Sequence, residues 1–214
     1  MAANFMKIAS TDSVLKAQEH YFGSARPATD TGGKDILSPD EVLFIQSRDS
    51  FYMASVNSDG WPYIQHRGGK PGFLRVSGPD SLAFADYKGN RQLLTTGNIS
   101  DNDRVSLFLM DYPQRSRLKI MGHARVVDAR KDPELVQQVA DIDEQKLVER
   151  VFVIDVIGYD WNCPKYITPR YTAAEVQAAI EPMKDRIADL EAQLKALKAE
   201  GSVSEDRSDP GSSL

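Results

Sequence analysis

Hydrophobic and polar positions alternate with a period close to two through the middle of the chain, between residues 50 and 158. The clearest stretch is SFYMASVNSDGWPYIQHR at 50–67, in which two partly alternating runs flank the turn sequence NSDG. This pattern predicts a β-hairpin. Five further apolar or β-branched runs predict five more strands. These runs are FLRVS at 73–77, SLAFA at 81–85, RVSLFLM at 104–110, RLKIMGHARVVD at 117–128 and VFVIDVI at 151–157.

Short helices are predicted before the strands and between the last two. STDSVLKAQEHYF at 10–22 places apolar residues on one side after a cluster of N-capping residue types. LSPDEVLFIQSR at 37–48 has Ser38 as a candidate N-cap and Glu41 three residues later, the spacing of a capping box. A third helix is predicted at 133–138. Since helices and strands do not alternate regularly, the sequence predicts an antiparallel barrel or sandwich and not a Rossmann fold.

Near the C-terminus, apolar residues recur at intervals of 4, 3, 4, 3, 4 and 3 after a capping-box pair, Thr172 and Glu175. This spacing predicts a coiled-coil seam on a helix over 171–200. Pro182 lies inside the helix and is expected to kink it or restart it. Two interpretations remain open, which are pairing of helices between subunits and packing of a single amphipathic helix on its own barrel. The seam residues are Val176, Ile180, Met183, Ile187, Leu190, Leu194 and Leu197.

The chain has 214 residues, enough for one domain with its own core and some appendages. The predicted organisation is an N-terminal helix and loop at 1–36, a barrel at 37–170, an amphipathic helix at 171–200 and a disordered tail at 201–214. The tail, GSVSEDRSDPGSSL, is rich in Ser, Asp and Gly, a composition that does not support a packed core.

Charge and composition exclude several classes of function. With 26 basic and 31 acidic side chains the net charge is -5, which argues against nucleic acid or an anionic membrane as the main partner. The single cysteine, Cys163, excludes an internal disulfide, and the three histidines lack metal-ligand spacing, so no metal site is expected. No segment has the pattern of a signal peptide or the length of a membrane span. We therefore expect a soluble, cytoplasmic protein.

Three clusters combine cationic side chains with glycine or amide groups at strand ends. The first is QHRGGKPGF at 65–73. Arg67 ends a predicted strand there, and Gly68 and Gly69 leave bare backbone beside it. A cation next to exposed backbone amides is suited to an anionic ligand, although most Arg-Gly-Gly runs are ordinary loops.

The second cluster is YKGNR at 87–91, which interrupts the strand pattern. Gly89 and Asn90 can adopt the positive backbone φ angles that turn successive N–H groups inward as an anion nest. Arg91 then supplies a planar fork that can hold two phosphate oxygens. The alternative interpretation of this stretch is a hairpin turn.

The third cluster is RSRLKIMG at 115–122, where Arg117 and Lys119 lie two apart on a predicted strand. Residues two apart on a strand point to the same face of the sheet. If that face is the interior of a barrel, an anion between the two cations is required to offset their burial. If it is the solvent side, no ligand is implied.

Four blocks of the chain match one family in order and spacing: FIQSRDSFYMASVNSDGWPYIQHRGGKPGF, LAFADYKGNRQLLTTGNISDNDRVSLFLMDY, RLKIMGHARVV and WNCPKYI. They resemble the FMN-binding split barrels related to pyridoxamine 5′-phosphate oxidase, over residues 44–170. The resemblance implies a mainly β fold, a six-stranded antiparallel split β-barrel with N-terminal helices and a C-terminal coiled-coil-like helix. It also implies a homodimer with FMN held between the two subunits.

The resemblance further implies roles for the three clusters and for the C-terminal block NCPKY at 162–166. Arg67 corresponds to a basic residue near the flavin phosphate and ribityl chain, and YKGNR corresponds to the turn that grips the phosphate. The strand at 117–119 corresponds to one that faces the flavin, and the C-terminal block approaches the flavin from the partner subunit. The predicted cofactor-binding residues are Arg67, Gly68, Gly69, Tyr87, Lys88, Gly89, Asn90, Arg91, Arg117, Lys119, Asn162, Cys163 and Lys165.

One departure from the family pattern argues against one of the functions that the resemblance implies. The Arg- and His-containing signature for a substrate phosphate does not follow Val153, so oxidation of vitamin B6 is not expected. The leading hypothesis is an FMN-dependent oxidoreductase that moves a hydride between the flavin and a small organic substrate or NAD(P)H, with no catalytic side chain assigned. The alternatives are a non-catalytic module that binds flavin or haem, a protein that uses F420 in place of FMN, and an assembly protein in which the coiled coil is the working part.

Overall fold

Seven antiparallel strands form one sheet in the computed structural model, which describes residues 3–29, 32–89, 91–161 and 164–205. The strands are β1 (Ser50–Val56), β2 (Pro62–Gly68), β3 (Arg75–Gly78), β4 (Ser81–Tyr87), β5 (Arg104–Asp111), β6 (Ser116–Asp128) and β7 (Val148–Trp161). Their order across the sheet is β2-β1-β5-β6-β7-β4-β3. The mainly β, antiparallel prediction is confirmed. The strand count implied by the resemblance is corrected from six to seven, because the four-residue β3 forms an edge strand of its own.

The core fills the concave side of this curved sheet. Phe51 on β1 meets Phe84 on β4 edge-to-face at a centroid distance of 5.4 Å, although these strands are not neighbours in the sheet. Phe84 in turn stacks on Phe152 of β7 at 4.9 Å. The sheet therefore curls until β4 faces β1, as in a barrel, while the backbone pairing of the described strands leaves it open between β2 and β3. Other fully buried side chains are Met53, Leu82, Leu107, Leu109, Leu118, Ile120 and Ile154.

The described part of the chain also contains six α-helices, before, between and after the strands in sequence. They are α1 (Ala3–Ala9), α2 (Asp12–Phe22), α3 (Pro39–Gln46), α4 (Leu94–Asp101), α5 (Pro133–Val139) and α6 (Ala173–Glu205). The predictions of α2, α3 and α5 are confirmed within two residues at each end, and Ser38 and Glu41 form the expected capping box. α1 and α4 were not predicted.

α1 packs on β7 at a position where only glycine fits. A Cβ atom at Gly158 would lie 2.7 Å from the backbone nitrogen of Phe5, closer than any unstrained contact. Phe5 is 5% exposed, and its backbone N–H donates to Asp35 at 3.3 Å, as does that of Tyr159. Because Gly158 has no side chain, α1 can approach β7 closely and pack on it.

The chain divides into two compact units, Met1–Thr168 and Pro169–Leu214. The second unit contains α6, which the Thr172–Glu175 capping box begins: Thr172 N–H donates to the Glu175 carboxylate at 2.7 Å. The helix does not start afresh at Pro182, because a single helix runs through it. The helix also continues to Glu205, five residues beyond its predicted end. Among the described helices, none combines the length and apolarity needed to cross a membrane.

Candidate functional site

A cavity of about 240 Å³ lies where β2 and β4 end, beside the first turn of α4. It brings together four of the predicted residues, Arg67 from β2 and Tyr87, Gly89 and Arg91 from the end of β4 and the loop that follows. Arg150, at the start of β7, adds a guanidinium that was not predicted from the sequence. Further lining residues are Tyr63, Gln65, Asp86, Gln92, Leu93, Leu94, Thr95 and Thr96.

Two arginines share one carboxylate in the wall of the cavity. Asp86 accepts from Arg67 Nη1 at 2.8 Å, and its second oxygen lies 3.2 Å from Arg150 Nε. All three side chains are less than one fifth exposed. Burial lowers the pKa of Arg67, and the negative charge of Asp86 opposes that shift. Both guanidinium groups therefore stay charged, with one negative charge between them.

Beyond this shared carboxylate the cavity retains positive charge. Its described lining contains three guanidinium groups, those of Arg67, Arg91 and Arg150, against the single carboxylate of Asp86. Arg150 also pairs with the Glu149 carboxylate, which lies outside the lining, so the net charge of the whole group is +1. Arg91 forms no ion pair with any residue in the described ranges. A positive, partly desolvated cavity attracts an anion more strongly than the same charges in water do.

Arg67 also has a buried hydrogen-bond donor, its Nε, without an acceptor among the described residues. This nitrogen is inaccessible to solvent. The guanidinium is held in place by the rings of Phe84 and Phe152, whose centroids lie 5.5 and 5.0 Å from it. A buried donor without an acceptor costs free energy, and an anionic ligand would remove that cost.

The loop between β4 and α4 has an unusual backbone. Arg91 and Leu93 have φ angles of 62° and 55°, in the left-handed region that costs a residue with a side chain roughly 1–2 kcal/mol. The predicted left-handed conformation of Gly89 is wrong, since its φ lies outside that region. The hairpin interpretation is also wrong, because the loop joins β4 to a helix. Strained residues of this kind concentrate at ligand sites.

The first turn of α4 opens onto the cavity. Its N-cap residue is Leu93, which has no side-chain acceptor, so no side chain caps the helix. The two threonines of the first turn, Thr95 and Thr96, line the cavity. Backbone N–H groups at an uncapped helix N-terminus bind anions, and the helix dipole favours negative charge there.

Two side-chain contacts fix α4 against the sheet. Thr95 Oγ1 donates to the side-chain oxygen of Gln65 on β2 at 3.0 Å, and Asn98 Nδ2 donates to Ser55 Oγ on β1 at 2.9 Å. Thr95 and Ser55 are 2% and 1% exposed. The sequence LTTGNISD contains few strong helix formers, so these contacts and the burial of Ile99 stabilise α4 in place of intrinsic propensity.

Tyr87 lines the cavity and contacts the segment between α5 and β7. Its hydroxyl donates to Glu144 at 3.0 Å, and Glu144 lies 3.2 Å from Lys70 Nζ. Lys70 also lies 2.9 Å from Asp141. Burial, followed by the bond to Glu144, raises the pKa of Tyr87 to about 12, so the phenol stays neutral at neutral pH.

The structure places Arg117 and Lys119 away from this cavity. The intervening Leu118 and the following Ile120 are completely buried, so the two cations lie on the opposite, outer face of β6. Lys119 Nζ is 2.9 Å from Asp160 on β7, and the Arg117 guanidinium lies 6.0 Å from the Phe108 ring. Of the two orientations that the sequence left open, the outer one is observed, because the alternation fixes which residues share a face but not which face is buried.

The backbone of Gly68 and Gly69 packs against neighbouring side chains and is not open to a ligand at this turn. A Cβ atom at Gly69 would lie 2.7 Å from the Phe73 ring, and the Gly69 N–H donates to Asp49 at 2.9 Å. A Cβ at Gly68 would lie 3.1 Å from the ring of His66. Neither glycine lines the cavity, and the packing of this turn accounts for their presence.

Two of the predicted lysines, Lys88 and Lys165, are exposed and are not among the residues that line the cavity. Lys88 directly follows Tyr87, and its backbone N–H donates to Leu147 at 3.2 Å. Lys165 lies in an exposed turn after β7. The remaining predicted residues Asn90, Asn162 and Cys163 lie outside the described residues.

A larger cleft of about 990 Å³ adjoins the first cavity and shares Thr96 and Arg150 with it. Its apolar part includes Ile99 of α4 and Val126 of β6, and its polar part includes Arg125 of β6. The sequence did not predict this cleft, because it forms between a helix that was missed and strand residues distant in sequence. Together the two cavities form an arginine-lined cavity with an adjoining, partly apolar space.

The fold and the cavity define a class of protein, an open antiparallel barrel with an arginine-lined cavity at the end of its strands. Comparison with family models identifies the group: residues 38–155, more than half of the chain, match the model described as pyridoxamine 5′-phosphate oxidase. The chain belongs to this family. A comparison with curated proteins found no match.

Solved structures with similar folds were also found. HupZ of Group A Streptococcus is 15% identical with a TM-score of 0.48, covering 59% of this chain and all of its own. A putative pyridoxamine 5′-phosphate oxidase of Lactobacillus delbrueckii is 16% identical with a TM-score of 0.44, covering 58% and 93%. An FMN-binding protein of Syntrophomonas wolfei is 8% identical with a TM-score of 0.41, covering 57% and 86%.

Proposed function

We propose that this chain is an FMN-binding flavoprotein whose cavity beside α4 holds the phosphate of the cofactor. The observation that carries the proposal is the net positive charge of the lining, together with the Arg67 Nε and the Arg91 guanidinium, for which the described residues supply no acceptor and no ion pair respectively. A phosphate monoester carries a charge of about −1.5 to −2 at pH 7 and three strong acceptor oxygens. The positive charge and the N–H donors of the cavity therefore complement the negative charge and the acceptor oxygens of a phosphate.

Different residues of the cavity would supply different hydrogen-bond donors to the phosphate. Arg91 offers its whole guanidinium fork, and Arg67 offers its buried Nε. The backbone N–H groups at the start of α4, near Thr95 and Thr96, supply neutral donors. Asp86 accepts from Arg67 and Arg150 and so fixes both guanidinium groups before the ligand arrives. A site prepared in this way loses little conformational entropy on binding.

The space available also suits a flavin nucleotide. A cavity of about 240 Å³ is large enough for a phosphate and the start of a ribityl chain but not for a three-ring system. The adjoining cleft of about 990 Å³, with Ile99 and Val126 in its lining, offers the larger, partly apolar volume. F420 also contains a phosphate and an isoalloxazine-like ring, so the same features allow it as an alternative ligand.

We further propose that the protein is an oxidoreductase acting on a small molecule, with NAD(P)H as a possible hydride partner and with two subunits enclosing the FMN. Bound FMN would supply the electron-transfer chemistry, and the protein would supply orientation, hydrogen-bond donors and exclusion of water. The neutral Tyr87 and the doubly paired Asp86 are suited to holding the cofactor, not to exchanging protons with a substrate. A non-catalytic module that binds flavin or haem is the competing function.

The phosphate site is tested by comparing FMN with riboflavin, which lacks the phosphate. Fluorescence quenching should show FMN binding far more tightly than riboflavin. Arg91→Ala should weaken FMN binding by about 1.5–3 kcal/mol, on the order of 10- to 100-fold, and leave riboflavin unaffected. Arg115→Ala is the matched control, since Arg115 has a similar φ of 52° and lies outside both cavities. Equal affinity for FMN and riboflavin would contradict the phosphate assignment.

The redox proposal needs a separate measurement. After loading with FMN and desalting, the protein is titrated with NADPH and NADH without oxygen while its absorbance is recorded. Bleaching of retained flavin supports an oxidoreductase, and retained flavin that both nucleotides leave oxidised favours a non-catalytic module or a different donor. If FMN is not retained, the same absorbance test with F420 and with haem, read at its Soret band, identifies the alternative ligand.

A further inference from the structure

The apolar seam of α6 is exposed in the single chain. All seven seam side chains are between 36% and 65% exposed, over a helix of 33 residues. Leaving such a continuous apolar stripe in water is unfavourable, and large exposed apolar patches mark interaction surfaces. The residues flanking the stripe indicate what kind of partner covers it.

The stripe is narrow. If the seam residues are numbered as heptad positions a and d, the flanking e positions are Gln177, Lys184, Glu191 and Lys198. The flanking g positions are Ala179, Arg186 and Gln193. A helix that packs on a globular core carries apolar residues at e or g as well, which makes its stripe wider. A stripe confined to a and d is typical of a coiled coil, in which each apolar residue inserts between four residues of another helix.

The residue types at the seam favour two parallel strands. The a positions are Ile180, Ile187 and Leu194, and the d positions from the second onwards are Met183, Leu190 and Leu197. β-Branched residues at a combined with Leu at d favour parallel dimers over trimers and tetramers. Gly201 falls at the next a position and ends the seam.

Charges beside the seam are complementary when two copies lie parallel and in register. In that arrangement each g residue faces the e residue five positions later on the other helix. Arg186 then faces Glu191 of the second copy, and the symmetry of the pair repeats this contact on the other side. Within one chain Arg186 contacts Asp189 at 2.6 Å, an exposed contact that contributes little.

Pro182 does not interrupt this surface. It falls at a c position, on the outer side of the helix and away from the a and d residues. α6 continues through it, and the hydrogen bond that proline cannot donate is missing only on the side that faces water in a dimer. The proline is therefore compatible with a seam that extends from Val176 to Leu197.

From these observations we infer that α6 pairs with α6 of a second copy of this chain as a parallel, in-register, two-stranded coiled coil. The occupant of the seam is an identical helix because the stripe width, the a and d residue types and the Arg186–Glu191 charges all fit one. This pairing does not depend on flavin binding.

Disulfide trapping in the full-length chain tests the inference. In a Cys163→Ser background, Leu190→Cys places a thiol at a d position, which meets its own copy only in a parallel, in-register pair. Ala192→Cys is the control, because an f position points away from the partner. We expect the Leu190→Cys dimer to form at least about tenfold faster than the Ala192→Cys dimer, since only the former lies within disulfide reach. Adding Ile187→Lys to Leu190→Cys should remove that advantage.

Each alternative gives a different result. In an antiparallel pair a d position faces an a position, so Leu190→Cys would not cross-link efficiently while a mixture of Leu190→Cys and Ile187→Cys chains would. A helix that packs on its own barrel would give equal, slow cross-linking of Leu190→Cys and Ala192→Cys. Either result would overturn the parallel pairing. The measurement is made without flavin, so failure of the proposed cofactor site would not affect it.

Discussion

Arg67 Nη1 lies 2.8 Å from Asp86 Oδ1, and this contact joins two strands that are far apart in the order of the sheet. Arg67 belongs to β2, at one edge, and Asp86 belongs to β4, which is separated from it by four strands. The contact is possible only because the sheet curls. One ion pair thus bridges the two sides of the open barrel at the place where the candidate phosphate cavity forms.

Replacing the shared carboxylate should destabilise the protein. Asp86→Asn leaves the largely buried Arg67 without a carboxylate among the described residues and leaves Arg150 with Glu149 alone, which should cost about 3–5 kcal/mol of unfolding free energy. Added FMN should restore part of this loss, since its phosphate also neutralises the pair. Chemical denaturation with and without FMN measures both effects. The control is Asp80→Asn, whose exposed pair with Lys34 should contribute at most about 1 kcal/mol.

The left-handed conformation of Leu93 predicts the effect of two substitutions. Leu93→Asn should raise the free energy of unfolding by about 0.5–1 kcal/mol, because asparagine tolerates this conformation better and Leu93 is 47% exposed. Leu93→Val should lower it by about 1–2 kcal/mol, since a β-branched residue is a poor fit at positive φ. Thermal and urea unfolding of the two variants provide the comparison. Equal stability of the two would show that the loop relaxes to another conformation.

Glu41 should make the stability of the fold depend on pH. It is 4% exposed and accepts from Ser38 N–H at 2.9 Å and from Trp161 Nε1 at 2.5 Å. Burial acts to raise the pKa of Glu41, but these hydrogen bonds outweigh it and lower the pKa. The stabilisation is therefore complete above the unfolded-state pKa of about 4.3 and is lost as the pH falls through the lower folded-state value.

Glu41→Gln tests this dependence. At pH 7 the variant should be less stable than the native chain by about 1–2 kcal/mol, because the charged acceptor is lost. The difference should shrink below pH ~4, where the native carboxylate begins to be protonated. Urea unfolding between pH 3 and pH 7 measures it. A difference that stays constant across this range would show that the charge of Glu41 makes no contribution.

Gly158 should be intolerant of any side chain. Gly158→Ala would place its Cβ against the backbone of Phe5, displace α1 and expose Phe5, at a cost of about 1–3 kcal/mol. Gly97→Ala is the matched control, because that glycine lies in α4 and has nothing within 4 Å of the added carbon. Replacing a helical glycine in open space should stabilise by about 0.5–1 kcal/mol. Opposite signs for the two variants are the expected result.

Local patterns in the sequence predicted the elements that depend on local interactions. The turn NSDG indicated the β1–β2 hairpin, and Ser38 and Glu41 indicated the start of α3, because both signals act within a few residues. α4 was missed since LTTGNISD has weak helix propensity and depends on contacts with β1 and β2. Arg91, which was predicted to bind the phosphate, lines the candidate cavity. The left-handed φ angles of this loop belong to Arg91 and Leu93 and not to Gly89.

The parts of the site that depend on distant contacts were not predictable in this way. Arg150 lies in an ordinary stretch at the start of the last strand, and only the pairing of β7 with β4 brings it to Asp86. The outward orientation of Lys119 was equally hidden, because period-two alternation is the same for either face of a strand. A sequence signal for Arg150 would have been the register of β4 on β7, which a single sequence does not contain.

The groups around the cavity come from three separate stretches between Tyr63 and Arg150, and this has a consequence for dissecting the protein. No fragment that omits part of that span can form the complete cavity, so the ligand site has no smaller, transplantable motif. Outside this span, α2 and α6 contribute no described residue to the lining. α2 and α6 can therefore be exchanged, fused or lengthened without removing a described residue of the lining, as long as the strands of the barrel stay whole.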